Sequence, residues 1–259
     1  MEQENTGMKL HIHKTAVVAA LVIAAMGTQA ATIANYGDFP ATSVSYNQVS
    51  ENTDIGMYQA PIIVEDTINF NPLDMVASSP AGGGAVTNNA LLNFDVQANA
   101  GKYIQGLYLT ENGIMTTVGS GSATYVDVTA NFLVTISMVN GVSVPDITES
   151  FSMSFNPRED GTWEFGTDGP AIGKFWDGSI FLDFASMLGY PGSGGATLAN
   201  VSLENVLIAN ADAASTASIQ KQNTDGLSIT AEVIPEPASI VLLMGATSFL
   251  AFIRRRIIG

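Results

Sequence analysis

The chain has 259 residues, 24 acidic and nine basic side chains, no cysteine and a formal net charge of −15. Both histidines precede residue 31. The rest of the chain therefore lacks a histidine base, a thiol nucleophile, a Cys/His zinc site and a disulfide. This composition excludes serine-histidine hydrolases, cysteine proteases and zinc hydrolases. Residues 31–233 hold 21 acidic and four basic side chains. A domain this acidic repels nucleic acid and anionic membranes. Its composition is still compatible with carboxylate chemistry and calcium coordination.

Residues 1–30 predict an export signal. A basic segment from Lys9 to Lys14 precedes an apolar run at 15–26, and small residues before and at Ala30 predict cleavage after that residue. Met8 offers an alternative start, because the acidic segment ahead of it is unusual for such a signal. A retained transmembrane helix is the competing interpretation, although twelve apolar residues are few for one.

Residues 31–233 predict one mostly β domain. Apolar and polar residues alternate with the strand period of two, most clearly over residues 125–138. Further strands are predicted at residues 62–70, 90–97, 104–110, 147–155, 179–184, 197–208, 215–220 and 226–233. This number of strands, with glycine-rich turns and no sequence repeat, favours a single antiparallel β-sandwich of the jelly-roll type.

Turns and loops are predicted between these strands. Glu111-Asn112-Gly113 consists of residues that turns favour and predicts a turn. Residues 76–89, with three consecutive glycines, predict the longest flexible loop. Residues 183–188 predict one short helical turn, and residues 31–52 predict either irregular structure or an edge strand.

The segment 158–169 gathers carboxylates around glycine turns. Glu159, Asp160, Glu164 and Asp168 could line a calcium site, because hard cations take carboxylate and backbone oxygens from loops. Their spacing differs from that of an EF-hand loop, and Asp and Gly also occur in hairpin turns for conformational reasons alone. The segment therefore predicts either plain turns or a structural calcium site, and calcium is the one cofactor that the sequence suggests.

Two carboxylates further along the chain raise the question of catalysis. Glu164 and Asp177 could serve as the acid and the nucleophile or base of a glycosidase. A chain so rich in carboxylates offers many such pairs, and nothing in the sequence sets the distance between these two. We therefore expect no catalytic residues, and a carboxylate-dependent carbohydrate-active enzyme is the weakest functional alternative.

Aromatic residues raise a stronger alternative, the binding of a polysaccharide. Flat rings stack on sugar faces, and jelly-roll domains often serve as such modules, which is an analogy with other proteins. Trp163 and Trp176 are the candidate contacts, together with any tyrosine that the fold exposes. The tyrosines of the domain are Tyr36, Tyr46, Tyr58, Tyr103, Tyr108, Tyr125 and Tyr190. Packing in the core is the competing interpretation for the tryptophans, especially where Phe175 adjoins Trp176.

Residues 234–259 predict a membrane-spanning tail. Residues 238–253 carry no charge, and a helix of that length spans ~24 Å, slightly less than a ~30 Å hydrocarbon core. Proline is tolerated in a first helical turn, so Pro237 can begin a helix over 237–253. Arg254, Arg255 and Arg256 then stay cytoplasmic by the positive-inside rule, which places the domain on the far side. A buried core helix is the alternative.

Three features of this tail together resemble the PEP-CTERM sorting signal: Pro235-Glu236-Pro237, the single apolar helix, and the cluster Arg254-Arg255-Arg256. One departure is Ile234, where valine is usual. The resemblance implies export by a bacterium that carries exosortase, a membrane protease-transferase thought to recognise the tripeptide and process the tail. Bacteria with this system tend to make exopolysaccharide and to live in biofilms. The resemblance defines sorting and brings no activity of the domain with it.

The sequence thus predicts an exported cell-surface or extracellular-matrix protein with a non-catalytic, structural or adhesive domain. It is expected to be anchored in the inner membrane before processing and to reach the surface or the medium afterwards. The expected partners are an exosortase-type enzyme, the membrane through the tail helix and, in the second alternative, an extracellular polysaccharide. A nucleic-acid partner is not expected.

Overall fold

The computed structural model describes residues 33–52, 56–189, 195–222 and 225–236, which form fifteen strands and two short helices. The strands are β1 (Ile33–Pro40), β2 (Val44–Asn52), β3 (Ile62–Val64), β4 (Thr67–Phe70), β5 (Val76–Ser79), β6 (Gly84–Ala98), β7 (Lys102–Gly119), β8 (Tyr125–Val139), β9 (Val142–Ser152), β10 (Ser154–Asn156), β11 (Thr162–Glu164), β12 (Ala171–Asp183), β13 (Ala196–Ala211), β14 (Ser215–Lys221) and β15 (Leu227–Pro235). The helices are α1 (Phe165–Asp168) and α2 (Phe184–Met187).

The two segments with a predicted targeting role lie largely outside these residues. The predicted export signal precedes them, and the tail beyond Glu236 follows them. In the part of the chain that is described, no helix is long and apolar enough to cross a membrane.

β13 is the centre of a first group of strands. It pairs antiparallel with β6 on one side and with β8 on the other, along nearly its whole length. β2 and β1 continue the group beyond β6, and β9 and β11 pair with β8. Val201, Leu203, Asn205 and Leu207 are all buried, because every second residue of a strand points to the same side.

β7 is the centre of a second group. It pairs with β12 on one side, and on the other side with β15 along its first half and β14 along its second. β4 and β3 follow β15, β5 follows β14, and β10 pairs with β12. A bridge between Ala196 of β13 and Ile104 of β7 joins the two groups. All fifteen strands therefore belong to one antiparallel sheet that nearly closes in a barrel-like arrangement.

The core lies between the inward faces of these strands. Its largest fully buried apolar side chains include Tyr46, Tyr58, Phe70, Phe94, Phe132 and Phe184. Tyr46 meets Phe94 edge to face with ring centroids 5.9 Å apart, and Tyr58 meets Phe70 in the same way at 5.7 Å. Burying one large apolar side chain stabilises a fold by ~1.5–3 kcal/mol, so this core is the main source of stability for a domain without disulfides.

The prediction of a mostly β, antiparallel fold is confirmed. Each segment predicted as a strand coincides largely with one strand or a pair of strands, and residues 125–138 form the single long strand β8. The helical turn predicted at 183–188 is α2. Its first turn is capped by the Asp183 carboxylate, which accepts a hydrogen bond from the Ser186 N–H at 2.9 Å.

Two predictions about loops are wrong. Residues 76–89 contain β5 and the start of β6 instead of a long flexible loop, since β5 pairs with β14 and the glycines between form a tight turn. Glu111-Asn112-Gly113 lies in the middle of β7 instead of in a turn. The absence of a side chain at Gly113 leaves room for the Trp176 ring and the Gln220 carbonyl, so this glycine serves close packing.

Candidate functional site

The predicted calcium ligands are arranged around an arginine. Nη1 of Arg158 lies 3.1 Å from Oδ1 of Asp168, and its Nε lies 3.7 Å from Asp160. The second oxygen of Asp168 accepts the Glu164 backbone N–H at 2.9 Å, and Asp160 accepts the Thr162 N–H at 3.1 Å. Two of the four carboxylates therefore neutralise a guanidinium and hold the turns on either side of β11.

The other two predicted ligands point into solvent. Glu159 and Glu164 are exposed, and Glu164 accepts a hydrogen bond from the Thr167 hydroxyl at 3.0 Å. Across the described ranges, no three acidic side chains converge in a group that could hold a metal ion. Calcium binding stays a prediction, and the structure brings Asp160 and Asp168 together on Arg158.

Both tryptophans pack in the interior. Trp163 is 7% exposed and donates its ring N–H to the Gly169 carbonyl at 3.0 Å. Nζ of Lys174 lies 3.4 Å from the centre of the Trp163 ring. Trp176 is 2% exposed and meets Phe155 edge to face at 5.9 Å. With their faces covered in this way, the two rings are not open to stacking on a sugar.

A small cavity of about 10 Å³ lies beside Trp163, Trp176 and Phe155. This volume is close to the minimum that one water molecule needs. The ring N–H of Trp176 is buried and makes no hydrogen bond with any described residue. The cavity is too small for a sugar or another organic ligand.

The suggested glycosidase pair projects from different strands. Glu164 lies at the end of β11, opposite Tyr125 of β8, and Asp177 lies on β12, opposite Asn112 of β7. Both carboxylates are exposed, and Asp177 accepts a hydrogen bond from the Asn156 side chain at 3.2 Å.

Exposed aromatic residues occur instead on the outer surface of β7 and β12. Tyr108 and Phe181 lie directly opposite each other in the register of these strands and are 47% and 38% exposed. Phe175, on the same side of β12, is 68% exposed. A Cβ at Gly106 would overlap the Phe181 ring, so the ring lies over this glycine. The other tyrosines differ: Tyr46, Tyr58 and Tyr103 are buried, Tyr36 and Tyr125 are half-buried, and Tyr190 is outside the described residues.

Four polar side chains, one of them charged, lie between these rings. On this side of β12 and β7, two facing pairs of residues, Ser179↔Thr110 and Asp177↔Asn112, lie between Phe181 at one end and Phe175 at the other. We call the outward surface formed by Tyr108, Phe175, Phe181 and these four polar residues the β12 face. Phe175 and Phe181 are six residues apart, which corresponds to roughly 20 Å along a strand.

Elsewhere in the domain, a group of polar side chains is fully buried. Nζ of Lys221, at the end of β14, lies 2.6 Å from Oε2 of Glu111 on β7. Nδ2 of Asn205, on β13, donates to the other oxygen of Glu111 at 2.6 Å and lies 2.7 Å from the Tyr58 hydroxyl oxygen. Side chains from both groups of strands thus meet on one carboxylate.

Burial changes the acid–base chemistry of this buried group. Desolvation lowers the pKa of Lys221, and the neighbouring Glu111 charge opposes that change. Desolvation also raises the pKa of Tyr58, and the Glu111 charge adds to that effect. A second buried carboxylate, Glu51, accepts hydrogen bonds from the Tyr36 hydroxyl at 2.8 Å and from the Tyr58 N–H at 3.0 Å.

This buried group is absent from the predictions made on the sequence, although a signal for it is present there. Glu111 follows Leu107 and Leu109 at the strand spacing of two, and Lys221 follows Ala217 and Ile219 in the same way. Each polar residue therefore continues an inward-facing apolar series. The turn-like composition of Glu111-Asn112-Gly113 obscured the pattern in β7.

The predicted sorting motif begins where the sheet ends. β15 pairs with β7 up to Pro235, which lies opposite Lys102, and the Glu236 N–H donates to the Gly101 carbonyl at 2.9 Å. Pro237 and the cluster Arg254–Arg256 lie outside the described residues.

Comparisons with known proteins add no family to these observations. No protein-family model matches the chain, and no curated protein matches it at a significant level.

Proposed function

We propose that this chain is an exported bacterial protein of the cell surface or extracellular matrix, with a non-catalytic ectodomain of structural or adhesive character. In this proposal the ectodomain is a β-sandwich related to jelly rolls, in which the strand groups centred on β13 and β7 face each other. The tail anchors it in the inner membrane until an exosortase-type enzyme acts at Pro235-Glu236-Pro237. The function of the tail is delivery.

The observation that carries the proposal is the junction between β15 and the tripeptide. The last strand runs to Pro235 and is held by β7, and the next backbone N–H, that of Glu236, is still bonded to Gly101. Folded domain and sorting motif therefore adjoin without a linker. This arrangement suits an anchor that holds a finished domain close to the membrane until the enzyme acts at its base.

Mass spectrometry of the protein extracted from its native host tests this proposal. We expect a mature C-terminus near Pro235–Pro237, and recovery of a chain that still ends with Arg254–Arg256 and the residues after them would contradict it. Glu236→Ala should block processing, because it alters the tripeptide and keeps the backbone bond to Gly101. Glu232→Ala, which removes an exposed carboxylate of β15, is the matched control and should be processed normally.

The β12 face supports a second candidate function, the binding of a neutral extracellular polysaccharide. Its exposed rings offer flat apolar surfaces, and the hydroxyl and amide groups between them can exchange hydrogen bonds with sugar hydroxyls. Asp177 is the one charged residue of the face as defined. Within so acidic a protein, this low charge favours an uncharged partner over an anionic one.

Affinity electrophoresis of the purified protein in gels containing exopolysaccharide from the native host tests this candidate. We expect the polysaccharide to retard the wild type, and Tyr108→Ala combined with Phe181→Ala to weaken retardation at least about tenfold, since stacked rings contribute on the order of 1 kcal/mol each. Ile172→Ala removes an exposed apolar side chain of β12 outside the face and should change nothing. Equal retardation of all three proteins would exclude the face as the binding site.

A further inference from the structure

We propose that Lys221 and Asn205 become joined by an intramolecular isopeptide bond, with Glu111 as the group that transfers the protons. This modification is independent of the sorting function and of polysaccharide binding. It would make the exported domain a covalently self-cross-linked one.

The geometry places an amine and an amide on the two oxygens of one carboxyl group. Nζ of Lys221 is 2.6 Å from one oxygen of Glu111, and Nδ2 of Asn205 is 2.6 Å from the other. The nucleophile and the leaving group of an amide exchange thus sit on neighbouring oxygens of the same side chain. A single carboxyl group can take a proton from one and deliver a proton to the other.

The environment favours the reaction. Lys221, Glu111 and Asn205 are all at most 1% exposed, so bulk water does not compete as the nucleophile. Burial also lowers the pKa of Lys221, and an amine attacks a carbonyl only in its neutral form. Holding both reacting groups on one carboxyl group replaces an encounter between separate molecules and removes much of its entropic barrier.

The reaction is balanced without any co-reactant. The Lys221 ammonium first gives one proton to Oε2 of Glu111, which leaves a neutral amine and a neutral carboxyl group. Nζ then attacks Cγ of Asn205 and forms a new C–N bond. The Cγ–Nδ2 bond then breaks, and Nδ2 leaves as ammonia after it receives a proton from the Glu111 carboxyl group. Glu111 takes up the second proton of Nζ and ends as an uncharged carboxyl group, and nothing is oxidised or reduced.

A permanent ion pair explains the buried group less well. A lysine ammonium has three N–H donors, yet among the described residues Nζ of Lys221 has one ion-pair and hydrogen-bond partner, Glu111, and the centre of the Tyr58 ring lies 5.9 Å away. Oδ1 of Asn205 is also buried without a hydrogen-bond partner among the described residues. A buried charge that is so poorly solvated is unfavourable, whereas the amide product carries one N–H and no charge.

The position of the bond gives it a structural consequence. Asn205 belongs to β13, the central strand of the first group, and Lys221 ends β14, which pairs with β7 of the second group. The bond would fasten the two groups to each other across the core. The chain has no cysteine with which to make a disulfide there.

The wild-type protein itself provides the first test. We expect the intact mass to be lower by one molecule of ammonia, and trypsin to leave the denatured chain uncut after Lys221, because an acylated lysine is not a substrate. A mass without this loss would overturn the proposal. Loss of ammonia with normal cleavage after Lys221 would also overturn it, since it would indicate cyclisation at an asparagine.

Variants then separate the roles of the three residues. Glu111→Gln keeps the shape of the side chain and should abolish both the ammonia loss and the resistance to trypsin at Lys221. Lys221→Met should abolish the ammonia loss through loss of the nucleophile. Glu204→Gln, which changes the neighbouring residue on the opposite face of β13, should cross-link as the wild type does. Complete cross-linking in Glu111→Gln would contradict the role of Glu111 in proton transfer.

Discussion

Tyr46 connects parts of the fold that are far apart in the sequence. Its hydroxyl group donates to the carbonyls of Asp66 at 2.7 Å and of Ile229 at 3.2 Å, and its ring packs against Phe94. A strand of the first group is thereby tied to backbone that belongs to the second. Desolvation raises the pKa of Tyr46 above the ordinary value of 10.0, because a phenolate would be poorly solvated there.

This raised pKa predicts a loss of stability at alkaline pH. The contribution of Tyr46 is fully present below pH 10.0 and declines above it, because the tyrosine ionises in the unfolded chain while it stays protonated in the native state. We expect Tyr46→Phe to unfold about 1 kcal/mol more easily near neutral pH, through the lost hydrogen bonds. Above pH ~10 its stability should fall less steeply than that of the wild type, by up to ~1.4 kcal/mol per pH unit.

Urea unfolding of both proteins at about pH 8 and about pH 11 measures this difference. Parallel loss of stability in the two proteins would show that Tyr46 ionises normally in the fold. Tyr58, whose pKa is also raised by burial, remains in both proteins and contributes equally to each.

The strands illustrate how far sequence patterns reach. The alternation over residues 125–138 predicts β8 almost completely, because each inward residue of that strand is apolar. In β7 the same alternation continues through Glu111 and Gly113, but local composition pointed to a turn. Tertiary contacts keep these residues in an extended strand, because Glu111 contacts Lys221 and Gly113 leaves room for the Trp176 ring. Local preferences are weak beside such packing.

The contact between β8 and β11 depends on a glycine. Gly161 has a φ of +80°, and a Cβ there would overlap the Val128 carbonyl oxygen of β8. Gly161→Ala is therefore expected to destabilise the protein by about 3 kcal/mol or more, from the left-handed backbone and the overlap together. Gly141 has a φ of +73° and open space around the position of a Cβ, so Gly141→Ala should lower the free energy of unfolding by about 1 kcal/mol. Thermal or urea unfolding compares the two variants, and equal losses would contradict the role of the overlap.

At the scale of the whole molecule, charge opposes folding. The chain carries a net charge of −15, and like charges repel more strongly in the compact state than in the extended one. Added salt shortens the range of this repulsion, from ~30 Å at ~0.01 M to ~8 Å at ~0.15 M. Stability should therefore rise with ionic strength until screening is complete.

Comparison of sodium chloride with calcium chloride at equal ionic strength also tests the calcium prediction. Screening alone would raise the melting temperature similarly in both salts. A structural site at Glu159, Asp160, Glu164 and Asp168 would add a further increase with calcium, through binding to the native state. That increase should disappear in Asp168→Asn. The ion pairs of Asp160 and Asp168 with Arg158 lead us to expect screening alone.

The sequence by itself determined most of the strands, the direction of their side chains and the exclusion of histidine, thiol and zinc chemistry, because alternation and composition are local properties of the chain. It also predicts the export and sorting signals, which stay predictions. Only the tertiary structure decided which strands lie side by side. Glu111 and Asn205 are 94 positions apart, and their contact depends on the packing of β7 against β13. Local alternation points both side chains inward, but the partner that each one meets is a property of the folded sheet.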